Sequence, residues 1–229
     1  MSYYIGLSLL SNNETRYGSR RADRASSRAE ARRILSLFEG RPLAESDIAR
    51  EGQGRPFFPG REAIVDFNIA HSGDLIAVSY AGGKNPRTGC DVERVRPRAG
   101  AGKIAEEFFS APERNYVFPP GGFDEARFYE IWTLKECFLK LRGLSVFDMA
   151  ACPSFINDKG ATAFAPLSFY LYELSRGADE RYMLATAIEG AEPAPPEIRW
   201  FSQAGLVRRK TTEYTEFHGI VDTKIIFPP

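Results

Sequence analysis

Carboxylates stand out among the residues that could do chemistry. Asp91-Val92-Glu93 lies inside Thr88 to Val95, a run that reads as a strand. Residues two apart on a strand project from one face, so these carboxylates would stand side by side and repel. Two arrangements relieve that repulsion: a solvated strand end beside Arg94 and Arg96, or a cation held between the pair. A hard divalent ion such as Mg²⁺, bound by oxygens at about 2.1 Å, suits the second. Trp132, Glu136 and Lys140 recur every fourth residue and stack on one helix face. Glu136 and Lys140 are then either a surface pair worth about 0.3 kcal/mol or, if Trp132 marks a covered face, a partly buried acid and base. Glu113 closes Ser110-Ala111-Pro112-Glu113, a capping box with proline in the first turn. That task does not exclude a chemical one.

The cations point the other way, towards anions. Arg16, Arg20, Arg21, Arg24, Arg28, Arg32 and Arg33 face only Asp23 and Glu30 over the same stretch. They form a solvated helix face or a phosphate site, because guanidinium groups grip phosphate through paired hydrogen bonds. Arg55, in a glycine-rich passage, is a further candidate. His71 falls in the turn expected between two strand runs; it is a hydrogen-bonded turn residue or, when protonated, a phosphate contact. His218 has no context. Gly52-Gln53-Gly54 lacks the third glycine of a dinucleotide fingerprint, and Gly102-Lys103 lacks the flanks of a P-loop. No nucleophile elbow or H-E-x-x-H helix occurs.

The elements that must position these residues follow from periodicity. Met1 to Leu10 reads as a strand and about Ala22 to Phe38 as a helix stopped by Gly40. Gly52 to Gly60 reads as loop, Ala63 to Ala70 and Leu75 to Ala81 as strands joined by His71 to Asp74, and Gly82 to Pro86 as a linker. Helices follow at about Lys103 to Phe109, from Ser110, and over about Asp124 to Arg142 with Gly143 as the stop. Phe128, Ile131, Leu134, Phe138 and Leu141 mark one apolar face of the last. Leu167 to Leu174, Tyr182 to Ile188 and Glu197 to Ser202 read as strands; Gly205 to Pro229 carries no assignable pattern. Strand then helix occurs twice, with Gly6-Leu7-Ser8 in the place of Gly89-Cys90-Asp91.

The composition narrows the function. The 229 residues carry 30 basic and 30 acidic side chains, which cancel and speak against nucleic-acid binding. Hydrophobic residues are 43% and aromatic ones 13%, enough for a core. No run approaches the ~18 apolar residues of a membrane span, and no secretory signal is recognisable. Cys90, Cys137 and Cys152 make neither a disulfide framework nor a zinc cluster. The expectation is a cytoplasmic protein with reduced thiols.

Taken in order, Gly54-Arg55-Pro56, Phe67-Asn68-Ile69-Ala70-His71-Ser72-Gly73-Asp74, Gly89-Cys90-Asp91-Val92-Glu93, Phe108 to Glu113 and Phe128 to Lys140 resemble the Sfp-type 4′-phosphopantetheinyl transferases. The resemblance spans Gly54 to Gly143, with the basic helix fitting upstream. It implies a mixed α+β protein of two similar halves related by a pseudo-twofold, each a small sheet packed with helices. Residues 1–86 would form the adenine and 3′-phosphate side, residues 87–229 the metal-binding and catalytic side, with the active site in the cleft between them. It implies Asp91, Glu93 and Glu136 as ligands of Mg²⁺ or Mn²⁺, His71 on a phosphate of coenzyme A, and Arg55 and Pro56 by the adenine. Arg20, Arg21 or Arg24 would hold the 3′-phosphate, and Lys135 would support phosphate binding. Lys140 would assist departure of 3′,5′-ADP, while Glu136, Glu113 or a metal-bound water takes the acceptor's proton. The implied substrate is a serine of an acyl or peptidyl carrier protein, met by Gly100 to Pro120, where Phe108, Phe109, Val117 and Phe118 are either an exposed apolar strip or core. The implied protein is a monomer with no membrane or nucleic-acid partner. Ala70 departs from the family's serine and Arg55 from its lysine. The alternative is an inactive coenzyme A- or carrier-binding protein, against which the intact Asp91, Glu93, Glu136 and Lys140 argue.

Overall fold

A computed structural model describes residues 2–10, 24–52, 54–157, 160–161, 164, 166–176, 180–190, 195–202, 205–207, 214–217 and 220–226. Arg16, Arg20, Arg21 and His218 lie outside the described residues. The chain opens with strand β1 (Ser2–Leu9) and helix α1 (Arg24–Glu39), which stops at Gly40 in the left-handed region, φ 66°. A small hairpin, β2 (Ala49–Glu51) with β3 (Arg55–Phe57), precedes a larger one, β4 (Val65–Ser72) with β5 (Leu75–Gly82). β5 lies between β1 and β4, antiparallel to both.

The same connectivity then repeats. After β6 (Arg87–Arg94) come helices α2 (Ala101–Phe108), α3 (Ala111–Val117) and α4 (Glu125–Arg142). A short pair, β7 (Ile156–Asn157) and β8 (Gly160–Ala161), leads to the hairpin β9 (Leu167–Arg176) and β10 (Glu180–Glu189). β10 lies between β6 and β9, antiparallel to both. The chain then crosses back: β11 (Glu197–Ser202) pairs parallel with β1 and carries β12 (Gly205–Val207) on its far edge. β13 (Tyr214–Phe217) and β14 (Ile220–Ile226) finish the second sheet, β14 parallel to β9.

The layers follow from strand alternation. Ile5 and Leu7 of β1, and Cys90 and Val92 of β6, point into a core shared by the two sheets, with Leu75, Ala77, Tyr170, Tyr172 and Leu184. The intervening residues face outwards onto a helix. Gly6 lies under α1, where an added Cβ would strike Ile34 and Phe38; Gly89 lies under α4, where it would stand 2.6 Å from the Cys137 carbonyl oxygen and 2.9 Å from the Leu141 amide nitrogen. Ser8 is hydrogen-bonded to Glu30 of α1, as Asp91 is to Lys140 of α4. The repeat visible in the sequence is a repeat of connectivity and of which residue faces the helix.

Helix α4 is capped at both ends. The Asp124 side chain accepts from the Arg127 amide at 3.1 Å, and Gly143 adopts φ 68° while Leu144 N–H bonds back to the Leu139 carbonyl at 2.8 Å. The expected single apolar face is too narrow. Trp132, Lys135, Cys137 and Leu139 are buried as well, and Phe138 only half so, because α4 lies between the second sheet and α2 and α3. Phe108, Phe109, Val117 and Phe118 join this core rather than forming an exposed strip. The loop expected from Gly52 to Gly60 contains β3, and the turn expected over His71 to Asp74 shrinks to Gly73-Asp74, so His71 and Ser72 end β4.

The two units are joined through Arg55. Its guanidinium donates to the Asp66 carboxylate of β4, to the Thr88 carbonyl of β6 at 2.9 Å and to the Lys140 carbonyl of α4, while Asp66 also accepts from the Thr88 amide at 2.7 Å. Burial raises the Asp66 carboxyl, with Arg55 opposing.

The contact at Gly89 yields a prediction. Gly89→Ala drives a methyl into the α4 backbone and is expected to destabilise by about 1–3 kcal/mol. Gly6→Ala would set its methyl against Cγ2 of Ile34, a buried β-branched residue with little freedom to turn aside, and is expected to lose a similar amount. Paired urea unfolding curves measure the two losses.

Candidate active site

Residues 89, 91 and 93 of β6 share the face turned to α4, the helix that carries Glu136 and Lys140. Asp91 is buried, and the Lys140 ammonium donates to its Oδ1 at 2.6 Å. Its Oδ2 is buried with no hydrogen-bond partner. Glu93 and Glu136 are half-buried and close enough that both carboxylates repel that of Asp91. Burial pushes the Asp91 carboxyl up to about 7 against the pull of Lys140, and the other two acids add to the rise. Burial likewise raises Glu136, with Lys140 opposing and Glu93 reinforcing. Burial disfavours the Lys140 charge, but Asp91 together with Cys90 and Glu136 outweighs it and raises the lysine.

An orphaned carboxylate oxygen beside two repelling carboxylates is an oxygen-only donor set short of positive charge. That chemistry fits a hard divalent cation. Among the described residues, no group of three or more His, Cys, Asp or Glu side chains is so placed that it could hold a metal ion as it stands. Lys140, and Arg98 beside Glu136, supply positive charge to the cluster.

A cavity of about 400 Å³ adjoins Lys140. Arg24, Ser27, Arg28 and Arg32 of α1 form one wall; Arg50, Gly54, Arg55 and Pro56 of the small hairpin form another. Asn68, Ile69 and His71 of β4, Lys140 of α4, its cap Gly143 and Ile48 also line it, with Glu45 the sole acidic lining residue among the described residues. Arg28 lies near enough to Arg50 to depress its pKa, although burial is the larger cause. Guanidinium groups crowded into one concavity mark a place for a multiply charged anion. The sequence singled out Arg24, Arg28, Arg32, Arg55, Pro56, His71 and Lys140; it gave no sign of Arg50, whose approach to α1 depends on the small hairpin.

Other expected residues are elsewhere or otherwise engaged. Glu113 is fully buried. Its Oε2 accepts from the Ser110 amide at 2.8 Å and meets Lys135 Nζ at 3.0 Å, and its Oε1 accepts from the Phe155 amide at 2.8 Å. The capping box is therefore real, and the carboxylate has no free oxygen for a substrate proton. Lys135 is buried against Glu113, donates to the Pro153 carbonyl at 3.3 Å and lies over the Phe109 ring; it does not line the cavity. Arg55 forms part of the wall, but its guanidinium is committed to Asp66, Thr88 and Lys140. Ala70 packs in the core between the sheets, away from the cavity lining. The Trp132 face is covered as its ring suggested: Trp132 is buried beneath Arg98, whose guanidinium lies 5.0 Å from the ring centre and close enough to Glu136 to oppose the rise in its pKa.

Basic cavity, bridging lysine and acidic cluster together can bind a polyphosphate and present it to carboxylates able to accept a proton. Comparison with known proteins agrees with this chemistry. The profile of the 4′-phosphopantetheinyl transferase superfamily matches residues 87–187, from β6 through most of β10. The 4′-phosphopantetheinyl transferase psf-1 of Bacillus pumilus is 32% identical over 174 residues, covering 72% of this chain and 70% of that protein. The 4′-phosphopantetheinyl transferase AcpT of Salmonella typhimurium is 34% identical over 138 residues, 60% of this chain and 67% of its own. AcpT of Escherichia coli K12 is 36% identical over 116 residues, 49% and 56% of the two chains. With this similarity extending over most of both chains in the first case, the protein belongs to the 4′-phosphopantetheinyl transferase superfamily of enzymes.

Proposed function

We propose that this enzyme transfers the 4′-phosphopantetheine arm of coenzyme A to a serine hydroxyl of an acyl or peptidyl carrier protein, releasing 3′,5′-ADP with the support of Mg²⁺. The observation that carries the reading is the junction at Lys140, a residue that lines the arginine-rich cavity and whose ammonium group joins the acidic cluster at Asp91. Coenzyme A has the matching shape: a 3′-phosphate and pyrophosphate at one end, a neutral arm at the other. In this reading the N-terminal side, residues 1–86, supplies the grip on the nucleotide, and residues 87–229 supply the acidic cluster.

Arg24, Arg28, Arg32 and Arg50 hold the phosphates, and His71 contacts one of them from the end of β4. Asp91, Glu93 and Glu136 would hold the divalent ion, which supplies charge neutralisation at the pyrophosphate when bound. The carrier serine oxygen forms a bond to the phosphorus bearing the pantetheine arm, and the bond from that phosphorus to the bridging oxygen breaks. The serine proton passes to Glu136, which is half-buried, raised in pKa and therefore suited to accept it. Lys140 stabilises the negative charge that leaves with 3′,5′-ADP. Glu113 and Lys135 take no part in these steps and hold α3 to α4 instead.

Incubation with an apo carrier, coenzyme A and Mg²⁺ is expected to add about 340 Da, one phosphopantetheine arm, to the carrier in a metal-dependent transfer. Mass spectrometry reads the gain, and EDTA should abolish it; no gain on carriers from fatty-acid, polyketide and peptide assembly would sink the reading in favour of a binding protein. Glu113→Gln keeps the cap but leaves Lys135 buried without a counter-charge, so a loss of about 3–5 kcal/mol is expected. Glu113→Gln with Lys135→Met should recover most of it, and the double variant should still turn over; a folded but inactive double variant would restore a chemical role to the pair. The Asp91 carboxyl titrates well above the 3.8 of a free aspartate, so the folded state holds a proton that the unfolded state has lost. Stability of the metal-free enzyme should therefore fall as pH rises from about 4 through 7. Asp91→Asn should flatten this slope in a series of thermal melts.

A further inference from the structure

The end of β4 carries two chemically active residues on opposite faces. His71 lines the cavity. Ser72, with the opposite orientation in the pleat, meets β6: its hydroxyl donates to Glu93 Oε2 at 2.9 Å and accepts from the Arg94 amide at 3.0 Å. The Arg94 N–H supplies a hydrogen of its own, so the serine's single hydrogen is committed to the carboxylate. Glu93 thereby has one oxygen fixed from a strand of the other sheet.

The segment presenting Ser72 is itself anchored. Asp74, in the turn after it, accepts from the Tyr182 hydroxyl at 2.8 Å and from Arg176 at 2.8 Å, both from the second sheet. The turn has little room to swing, since a Cβ added at Gly73 would stand 3.3 Å from the Tyr182 hydroxyl. Arg94, next to Glu93, pairs with Glu180 at 3.0 Å. The ends of β4, β6, β9 and β10 are thus fastened together beside the acidic cluster.

We infer that Ser72 is the positioning residue for Glu93, fixing through its hydroxyl the carboxylate that completes the divalent-ion site with Asp91 and Glu136. The inference rests on the proposed function, which assigns Glu93 to that site. Hydrogen-bond partners of metal-ligating carboxylates are worth about 10–100-fold in affinity or activity. Ser72 is not among the residues lining the cavity, so its effect should fall on ion binding and not on the nucleotide grip.

The test uses the full chain and Mn²⁺, counted as bound ion by electron paramagnetic resonance without carrier, alongside thermal melting and turnover. Ser72→Ala should weaken Mn²⁺ binding about 10–100-fold, with the KM for coenzyme A near that of the parent at saturating ion. Ser72→Thr, which keeps the hydroxyl, should recover most of the loss. Unchanged Mn²⁺ affinity in folded Ser72→Ala overturns the inference while leaving the transferase reading intact. Equal losses in the alanine and threonine variants overturn it too. If the parent enzyme binds no Mn²⁺ and transfers no arm, the proposed function fails, and this inference with it.

Discussion

Everything at the site depends on how closely α4 approaches β6. The absence of a side chain at Gly89 lets the helix backbone settle onto the strand around Cys137 and Leu141. A helix at that depth brings Lys140 to Asp91 and puts Glu136 within electrostatic reach of Asp91 and Glu93. Side chains only a few bonds long cannot compensate for a helix lifted by the thickness of a methyl group. The first unit uses the same device at Gly6 under α1, where the partner of the helix is an uncharged Ser8. One architecture thus serves for packing in one unit and for chemistry in the other.

The site is electrostatically divided. Carboxylates crowd the β6–α4 face until two of them are raised in pKa, whereas guanidinium groups crowd the neighbouring cavity. Each half is unfavourable alone, because like charges are held together and partly removed from water. Lys140 mediates between them. A ligand with phosphates at one end, and a cation at the other half, would relieve both strains at once, which is why binding and not folding is the natural explanation of the arrangement. Glu113 and Lys135 show the contrasting case: a buried pair of opposite sign, saturated by backbone amides and a carbonyl, with nothing left over for a ligand.

Local patterns made much of this legible. Strand alternation at Asp91 and Glu93, the four-residue spacing of Trp132, Glu136 and Lys140, and the arginines of α1 each point to a face; that the faces approach one another is implied by the family resemblance and not by the spacing. What escaped depends on contacts distant in sequence. The capping box at Ser110 to Glu113 is visible locally, but its ion pair with Lys135 is not, because nothing in either segment announces the other. Arg55 reads as a loop cation until Asp66 and Thr88 are brought against it. The small hairpin of β2 and β3 is too short for periodicity to register, and with it goes the signal for Arg50. Ser72 was hidden for a simpler reason: a two-residue turn at Gly73-Asp74 extends β4 further than a four-residue turn would.

The parallel pairing of β11 with β1 has a consequence for biosynthesis. β1 leaves the ribosome before the other strands of its sheet and can join β5 once Leu75–Gly82 has emerged, but its other edge must wait for Glu197–Ser202. Throughout that interval a nascent chain displays a free hydrogen-bonding edge, open to pairing with a neighbouring polypeptide. Closure of the first sheet therefore waits until β11 has emerged, and a cell making this enzyme quickly has reason to shield the growing chain.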